Sequence, residues 1–163
     1  SVWVTDPFPS DWLKAQGVNL NAGLPDSPAI VLIAVKPQMM QDALPSLQAL
    51  GNGDTVFLSV AAGVTIASYE TILGAQTPII RAMPNTPAAI SQGITAIAGN
   101  ALATLTQMDM ADDLLSAVGD VVRLDNEAQI DAVTGVSGSG PACGYGHETG
   151  AGHRCRCRSI GFA

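Results

Sequence analysis

The sequence has no histidine before residue 147 and no cysteine before residue 143. A Ser-His-Asp arrangement is therefore unavailable to residues 1–142. Three cysteines are an odd number and form no disulfide framework, so the expected compartment is the reducing cytoplasm. Charge is scarce, at 13% of residues against about 25% in an ordinary domain. Cations are scarcest: seven Lys and Arg face fourteen Asp and Glu, for a net charge of -7. That balance argues against nucleic acid or an anionic membrane as a partner. No apolar run reaches the roughly 18 residues of a membrane span. No basic-then-apolar leader stands at the start. What is present is 47% hydrophobic over 163 residues, enough for one domain that buries about two thirds of its surface.

The charge is unevenly spread. Residues 1–143 hold Lys14, Lys36, Arg81 and Arg123 against thirteen acids, a balance of -9. Residues 144–163 hold Arg154, Arg156 and Arg158 against Glu148, a balance of +2. This stretch carries both histidines, five glycines and no helix or strand periodicity. Something therefore ends near residue 143. Three readings stand: a disordered tail, a non-native continuation, or a metal site of His147, His153, Cys155 and Cys157. The Cys155-x-Cys157 spacing is tighter than zinc sites use, and the flanking arginines oppose a cation.

Upstream, strand and helix signals alternate. Val2–Thr5 reads as a short strand stopped by Asp6-Pro7-Phe8-Pro9. Ser10 reads as the N-cap of a short helix that Gly17 ends. Residues 29–35, continuously apolar and branched, read as a buried parallel strand. Met39 to Leu50 follows helical spacing, with Pro45 interrupting. Strands are expected at 55–60, 78–83, 93–98 and 121–124. Helices are expected at 65–73, capped by Thr65, and at 102–118, with Met108, Leu114, Leu115 and Val118 inward. Asp125 is expected to cap a helical turn over 127–133, and Asp112 and Asp113 to face solvent. The pattern predicts an α/β fold with a mostly parallel sheet and helices on both faces.

In such sheets ligands bind beyond the carboxyl ends of strands. Four segments stand there: Thr5-Asp6, Ala34-Val35-Lys36-Pro37, Ser59 to Gly63, and Arg81 to Pro87. Small residues and prolines at these ends let a flat ligand approach the backbone; each is otherwise only a tight turn. No G-x-G-x-x-G in its strand–turn–helix setting is present. Gly135-Val136-Ser137-Gly138-Ser139-Gly140 comes nearest, but it follows a helical turn. It reads either as a linker or as a set of N–H and hydroxyl donors for a carboxylate. Cys143 reads as a small buried hydrophobe rather than a nucleophile.

Three stretches together resemble the pyrroline-5-carboxylate reductase family: Ile33-Ala34-Val35-Lys36-Pro37-Gln38, residues 80–87, and residues 131–142. Their order and spacing agree with it as well, over about residues 1–142. The resemblance implies a Rossmann-like domain whose first strand and glycine-rich turn are missing. It divides the chain into a partial dinucleotide-binding domain (1–134), the start of a helical domain (135–143) and a tail unlike the family (144–163). It implies reduction of 1-pyrroline-5-carboxylate to L-proline, the last step of proline biosynthesis. It places NADPH or NADH against Thr5, Asp6, Ala34, Val35, Lys36, Pro37, Ala61, Gly63, Met83, Pro84 and Asn85. It places the imino acid substrate at Ser137, Gly138, Ser139 and Gly140. Lys36 equally reads as a solvent-exposed turn residue. No catalytic side chain is required, because the cofactor supplies the hydride.

Cofactor choice is divided. The family commonly prefers NADPH, whereas Asp6 at a strand end is the usual acceptor for a free ribose 2′-hydroxyl and repels a 2′-phosphate. Full-length relatives are homo-oligomers through the helical domain. The isolated chain is expected to be inactive and to form no such specific dimer, so a nucleotide-binding scaffold without turnover is the alternative function.

Overall fold

A computed structural model describes residues 1–91 and 93–133. Expectations placed on residues 134–163, including Ser137 to Gly140, Cys143 and the His/Cys set of the tail, lie outside the described residues.

The chain opens with β1 (Trp3–Val4), the four-residue helix α1 (Asp11–Lys14) and β2 (Asn19–Leu20). The Ser10 hydroxyl accepts from the Leu13 N–H, and Gly17 takes a positive φ after the helix, as expected from the sequence. β1 and β2 pair in parallel as a separate two-stranded ribbon. The sequence reading contained no β2; two residues are too few for a period to show.

Five strands form the main sheet in the order β3 (Ile30–Ile33), β4 (Val56–Ser59), β5 (Ile79–Pro84), β6 (Gly93–Gly99) and β7 (Gly119–Arg123). β3, β4 and β5 run parallel, β6 is antiparallel to β5, and β7 is parallel to β6. Connection length explains the one reversal. A parallel neighbour needs a crossover of a dozen or more residues. The short link from β5 to β6 has room only for a 3-10 turn over Thr86–Ile90.

Helices cover both faces because the central strands are apolar on both. Phe57 and Ile79 share one face with Ile66, Tyr69 and Leu73 of α3 (Ile66–Leu73). Met40 and Leu44 join them from the segment between β3 and β4. Val56, Leu58, Ile80 and Ile97 point the other way, onto Ala111 and Leu115 of α4 (Leu105–Leu115). This is the period of two acting on a doubly covered sheet.

Local details differ from the sequence reading. The helix expected to Leu50 is a 3-10 turn at Pro37–Met39, one α-turn, α2 (Met40–Ala43), and a 3-10 stretch over Leu44–Leu50. Pro37 and Pro45 lack the N–H a continuous helix needs. Leu114 is exposed rather than inward, because Ala111 and Leu115 already occupy the stripe facing the sheet. Asp112 does not stand free: with Asp109 it holds Arg123 of β7 at 2.7 and 2.8 Å. Both carboxylates hold the Arg123 guanidinium above its ordinary pKa. Asn126, not Asp125, caps α5 (Ala128–Val133): its Oδ1 accepts from the Gln129 N–H, while the Gln129 side chain takes the Asp125 N–H. Gly119 has φ 142, and a Cβ there would stand 2.1 Å from the Gly93 oxygen across the β6–β7 pair. Among the described residues no helix is long and apolar enough to cross a membrane.

Candidate functional site

The three parallel strands end side by side. Ile33 is level with Ser59, and Ser59 with Arg81. The residues that follow therefore form one rim: Ala34 to Pro37 after β3, Val60 to Gly63 after β4, and the last residues of β5. β5 runs farther than β4 because β6 also pairs with it, Met83 opposite Ala96 and Pro84 opposite Thr95.

Each piece of the rim is held by a local device. Beyond β3, Ala34, Lys36 and Pro37 are exposed and Val35 is half-buried. The Lys36 carbonyl accepts from the Met39 N–H, which turns the chain away from the sheet. Beyond β4, Ser59 is buried, and its Oγ accepts from the Ala61 N–H at 3.2 Å. The Tyr69 hydroxyl lies 2.5 Å from the same oxygen and 4.0 Å from the Met40 sulfur. This chain of contacts anchors the Ala61 turn to the core of one sheet face. Burial raises the Tyr69 pKa, against the opposing pull of the Ser59 hydrogen bond and the Arg81 charge. Gly63 takes φ +75, and a Cβ there would meet nothing within 4 Å, so its backbone lies open. Beyond β5, the Asn85 side-chain oxygen accepts from the Ile94 N–H at 2.9 Å and ties the end of the strand that carries Met83 and Pro84 to the start of β6.

A cavity of about 340 Å³ opens behind this rim, lined by Gly63, Thr65, Arg81, Glu127, Ala128 and Asp131. Among the described residues, Arg81 is the buried charged side chain, near the carboxyl end of β5. Its Nη1 lies 2.5 Å from Glu127 Oε1, with the side chains 7% and 29% exposed. The same carboxylate oxygen accepts from the Ile66 N–H at 2.8 Å, beside the Thr65 cap of α3. A carboxylate there suits both the guanidinium and the positive end of the helix.

Of the residues expected at the cofactor, Ala34 to Pro37, Ala61, Gly63 and Met83 to Asn85 fall on the three neighbouring strand ends. Gly63 alone of them lines the cavity. Thr5 and Asp6 lie on the ribbon instead, at the carboxyl end of β1. The Asp6 Oδ1 accepts from the Phe8 N–H at 2.8 Å, and Asn21 brackets the Asp6 backbone with two hydrogen bonds of 2.9 Å. Asp6 is thus at least a turn residue. Thr65 and Glu127 were missed as site residues. Arg81 stood in a motif but was given no part. Nothing in the sequence pairs Arg81 with Glu127, 46 positions away. Among the described residues no group of three or more His, Cys, Asp or Glu is placed to hold a metal.

No family model matches the chain. Individual proteins do. The pyrroline-5-carboxylate reductase of Pseudomonas aeruginosa is 47% identical over 113 residues, which is 69% of this chain and 41% of that protein. The pyrroline-5-carboxylate reductase structure from Coxiella burnetii is 31% identical with a TM-score of 0.78, covering 86% of this chain and 55% of that one. The Plasmodium falciparum pyrroline carboxylate reductase, solved with NADP bound, shares the fold at a TM-score of 0.74 and 23% identity, over 88% of this chain and 53% of that one. The chain thus spans about two fifths to one half of the proteins it matches. The fold is the Rossmann-like α/β fold of these reductases, and identity of 47% over 113 residues makes the chain, across the segment they share, a homologue of the pyrroline-5-carboxylate reductases.

Proposed function

We propose that this chain supplies much of the cofactor half of an enzyme that reduces 1-pyrroline-5-carboxylate to L-proline with NADPH or NADH. The observation that carries the reading is the rim. Three segments, distant in sequence, stand on adjacent strand ends, and a cavity of about 340 Å³ opens where Gly63 after β4 and Arg81 on β5 face Glu127.

The residues present fit a dinucleotide. Gly63 leaves open space over its backbone, Ala34 and Ala62 are small and exposed, and Lys36 offers a cation beside them. Such surfaces admit a flat ring and a diphosphate without a side-chain clash. When bound, the nicotinamide cofactor supplies the hydride for the C=N carbon of the imino acid, and a proton goes to its nitrogen. The protein's part is placement. The Ser59–Tyr69 contact holds the Ala61 turn, and Asn85 holds the end of β5 that carries Met83 and Pro84. Fixing these two neighbouring segments of the rim is the kind of pre-orientation that lowers the barrier of a two-reactant step. We place the substrate carboxylate on the donors of Ser137, Gly138, Ser139 and Gly140, in a protein that acts as a homo-oligomer.

On cofactor choice, Asp6 still favours a free 2′-hydroxyl, although its hydrogen bond to Phe8 takes part of its capacity. The test is proline formation from 1-pyrroline-5-carboxylate by a full-length protein that carries this chain, with each cofactor in turn. Absence of turnover with both sinks the assignment. Equal or better use of NADPH removes the Asp6 argument. Micromolar NADPH binding by the 163-residue chain without turnover leaves a nucleotide-binding scaffold as its own activity.

A further inference from the structure

We infer that Glu127 is a positioning residue that sets the two cofactor-side loops against each other and against the start of α5. The inference rests on the proposed site, but its physical basis is independent of any ligand. One atom, Glu127 Oε1, makes both contacts: Arg81 Nη1 at 2.5 Å and the Ile66 N–H at 2.8 Å. Each contact leads to a different part of the rim. Arg81 lies two residues before Met83 on β5. Ile66 begins α3, three residues after Gly63. Glu127 itself immediately precedes α5, whose Ile130 is 1% exposed. A single carboxylate thus ties together the end of β5, the turn that precedes α3 and the start of α5.

The location distinguishes this pair from ordinary structural ion pairs in the same chain. Arg123 meets Asp109 and Asp112 at an outer edge, where it is 36% exposed. Arg81 is 7% exposed and lines the cavity, at the carboxyl end of the sheet. A charged hydrogen bond at a water-poor position is directional and stiff. Because one oxygen serves two partners, a displacement on one side is transmitted to the other. The apolar core joins α3 only to the start of β5, through Ile79; Ala82, just past Arg81 at the far end of the strand, packs on the other face.

The test uses the 163-residue chain with Glu127→Gln, Glu127→Ala and Arg81→Lys. Glu127→Gln keeps an acceptor for the Ile66 N–H and removes the charge facing Arg81. Arg81→Lys keeps the charge and is the conservative rescue. Amide hydrogen exchange is followed by segment, with urea unfolding of the whole chain alongside. The expected result for Glu127→Ala is exchange roughly tenfold faster in both 61–66 and 82–86, while 56–58 and 96–98 keep their protection. Glu127→Gln should loosen 82–86 more than 61–66, and Arg81→Lys should be close to the parent chain. NADPH affinity should weaken roughly tenfold in Glu127→Ala, because misplaced loops lose pre-orientation. Faster exchange confined to the first turn of α3 would reduce Glu127 to a helix cap and overturn the inference. Equal acceleration in every strand would reduce it to a general stabiliser and overturn it likewise. If the parent chain binds neither NADPH nor NADH, the cofactor reading of this chain fails, yet the exchange pattern still decides the role of Glu127.

Discussion

The ribbon of β1 and β2 and the sheet of β3 to β7 start from the same material and end differently. Both contain parallel strand pairs, and each has a helix between its first strands. Yet no residue before Ile33 is buried, whereas all four residues of β4 are. The three aromatics of the first twelve residues, Trp3, Phe8 and Trp12, are exposed, while Phe57 and Tyr69 are fully enclosed. Helix α1 buries nothing, and α3 buries Ile66, Tyr69 and Leu73. Strand pairing is therefore not what makes the sheet cohere. A two-stranded ribbon satisfies backbone groups but removes little apolar area from water. Coverage of both faces by helices turns the same pairing into a core.

The comparison is broken most directly by truncating one aromatic in each region. Phe57→Ala should cost about 4 kcal/mol, because it opens a cavity among Tyr69, Leu73 and Ile79. Trp12→Ala, at 71% exposure, should stay within about 0.5 kcal/mol. Urea midpoints of the two variants measure the contrast; equal losses would show the ribbon to be part of the cooperative unit.

Glycines give the next largest contrast. Gly119→Ala combines a forbidden φ with a Cβ driven into the Gly93 backbone, and should cost about 3 kcal/mol. Gly23→Ala has φ +90 but open space around it. It should carry backbone strain of only about 1 kcal/mol, without moving the main unfolding transition. Thermal unfolding of the pair checks both.

Tyr69→Phe removes the partner of Ser59 and should cost about 1.5 kcal/mol. It also tests pH linkage. Burial raises the Tyr69 pKa above that of the unfolded chain, so the folded state holds the phenolic proton more tightly. Its contribution is complete below about pH 10 and is lost as pH climbs from there through the folded value. Stability should thus fall above about pH 10 in the parent chain and fall less in Tyr69→Phe. An unchanged alkaline slope in the variant would assign the effect elsewhere.

The smallest effect runs the other way. Thr95 is buried in β6, and its hydroxyl has no hydrogen-bond partner among the described residues. Thr95→Val should stabilise the sheet by about 1 kcal/mol, because it removes an unpaired polar atom at nearly constant shape. A loss of stability on calorimetry would mean the hydroxyl is satisfied.

Much of the sheet was legible because its strands advertise themselves. Ile30 to Ile33, Val56 to Leu58 and Ile79 to Ile80 are apolar on both faces, with proline or glycine nearby. Ser10, Thr65 and Gly17 act locally, so their roles could be read one turn at a time. The rim was legible for the same reason: Ala34 to Pro37, Ala61 to Gly63 and Met83 to Asn85 each follow a readable strand. What escaped was either too short to carry a period, as with β2, or a choice between neighbours, as with Asn126 over Asp125 and Ala111 over Leu114.

The sequence by itself determined the elements, their alternation, the two-sided apolarity of the central strands and the punctuation that makes their ends approachable. These are properties of a residue and its near neighbours, set by period, propensity and proline or glycine geometry. Only the tertiary structure decided that β6 reverses, that Tyr69 reaches Ser59, and that Glu127 meets both Arg81 and Ile66. Those contacts join positions 10 to 61 residues apart, except where a short link compels the reversal. Their partners are chosen by which strand lies beside which and how each helix settles on its face, and no local pattern in the chain encodes that choice.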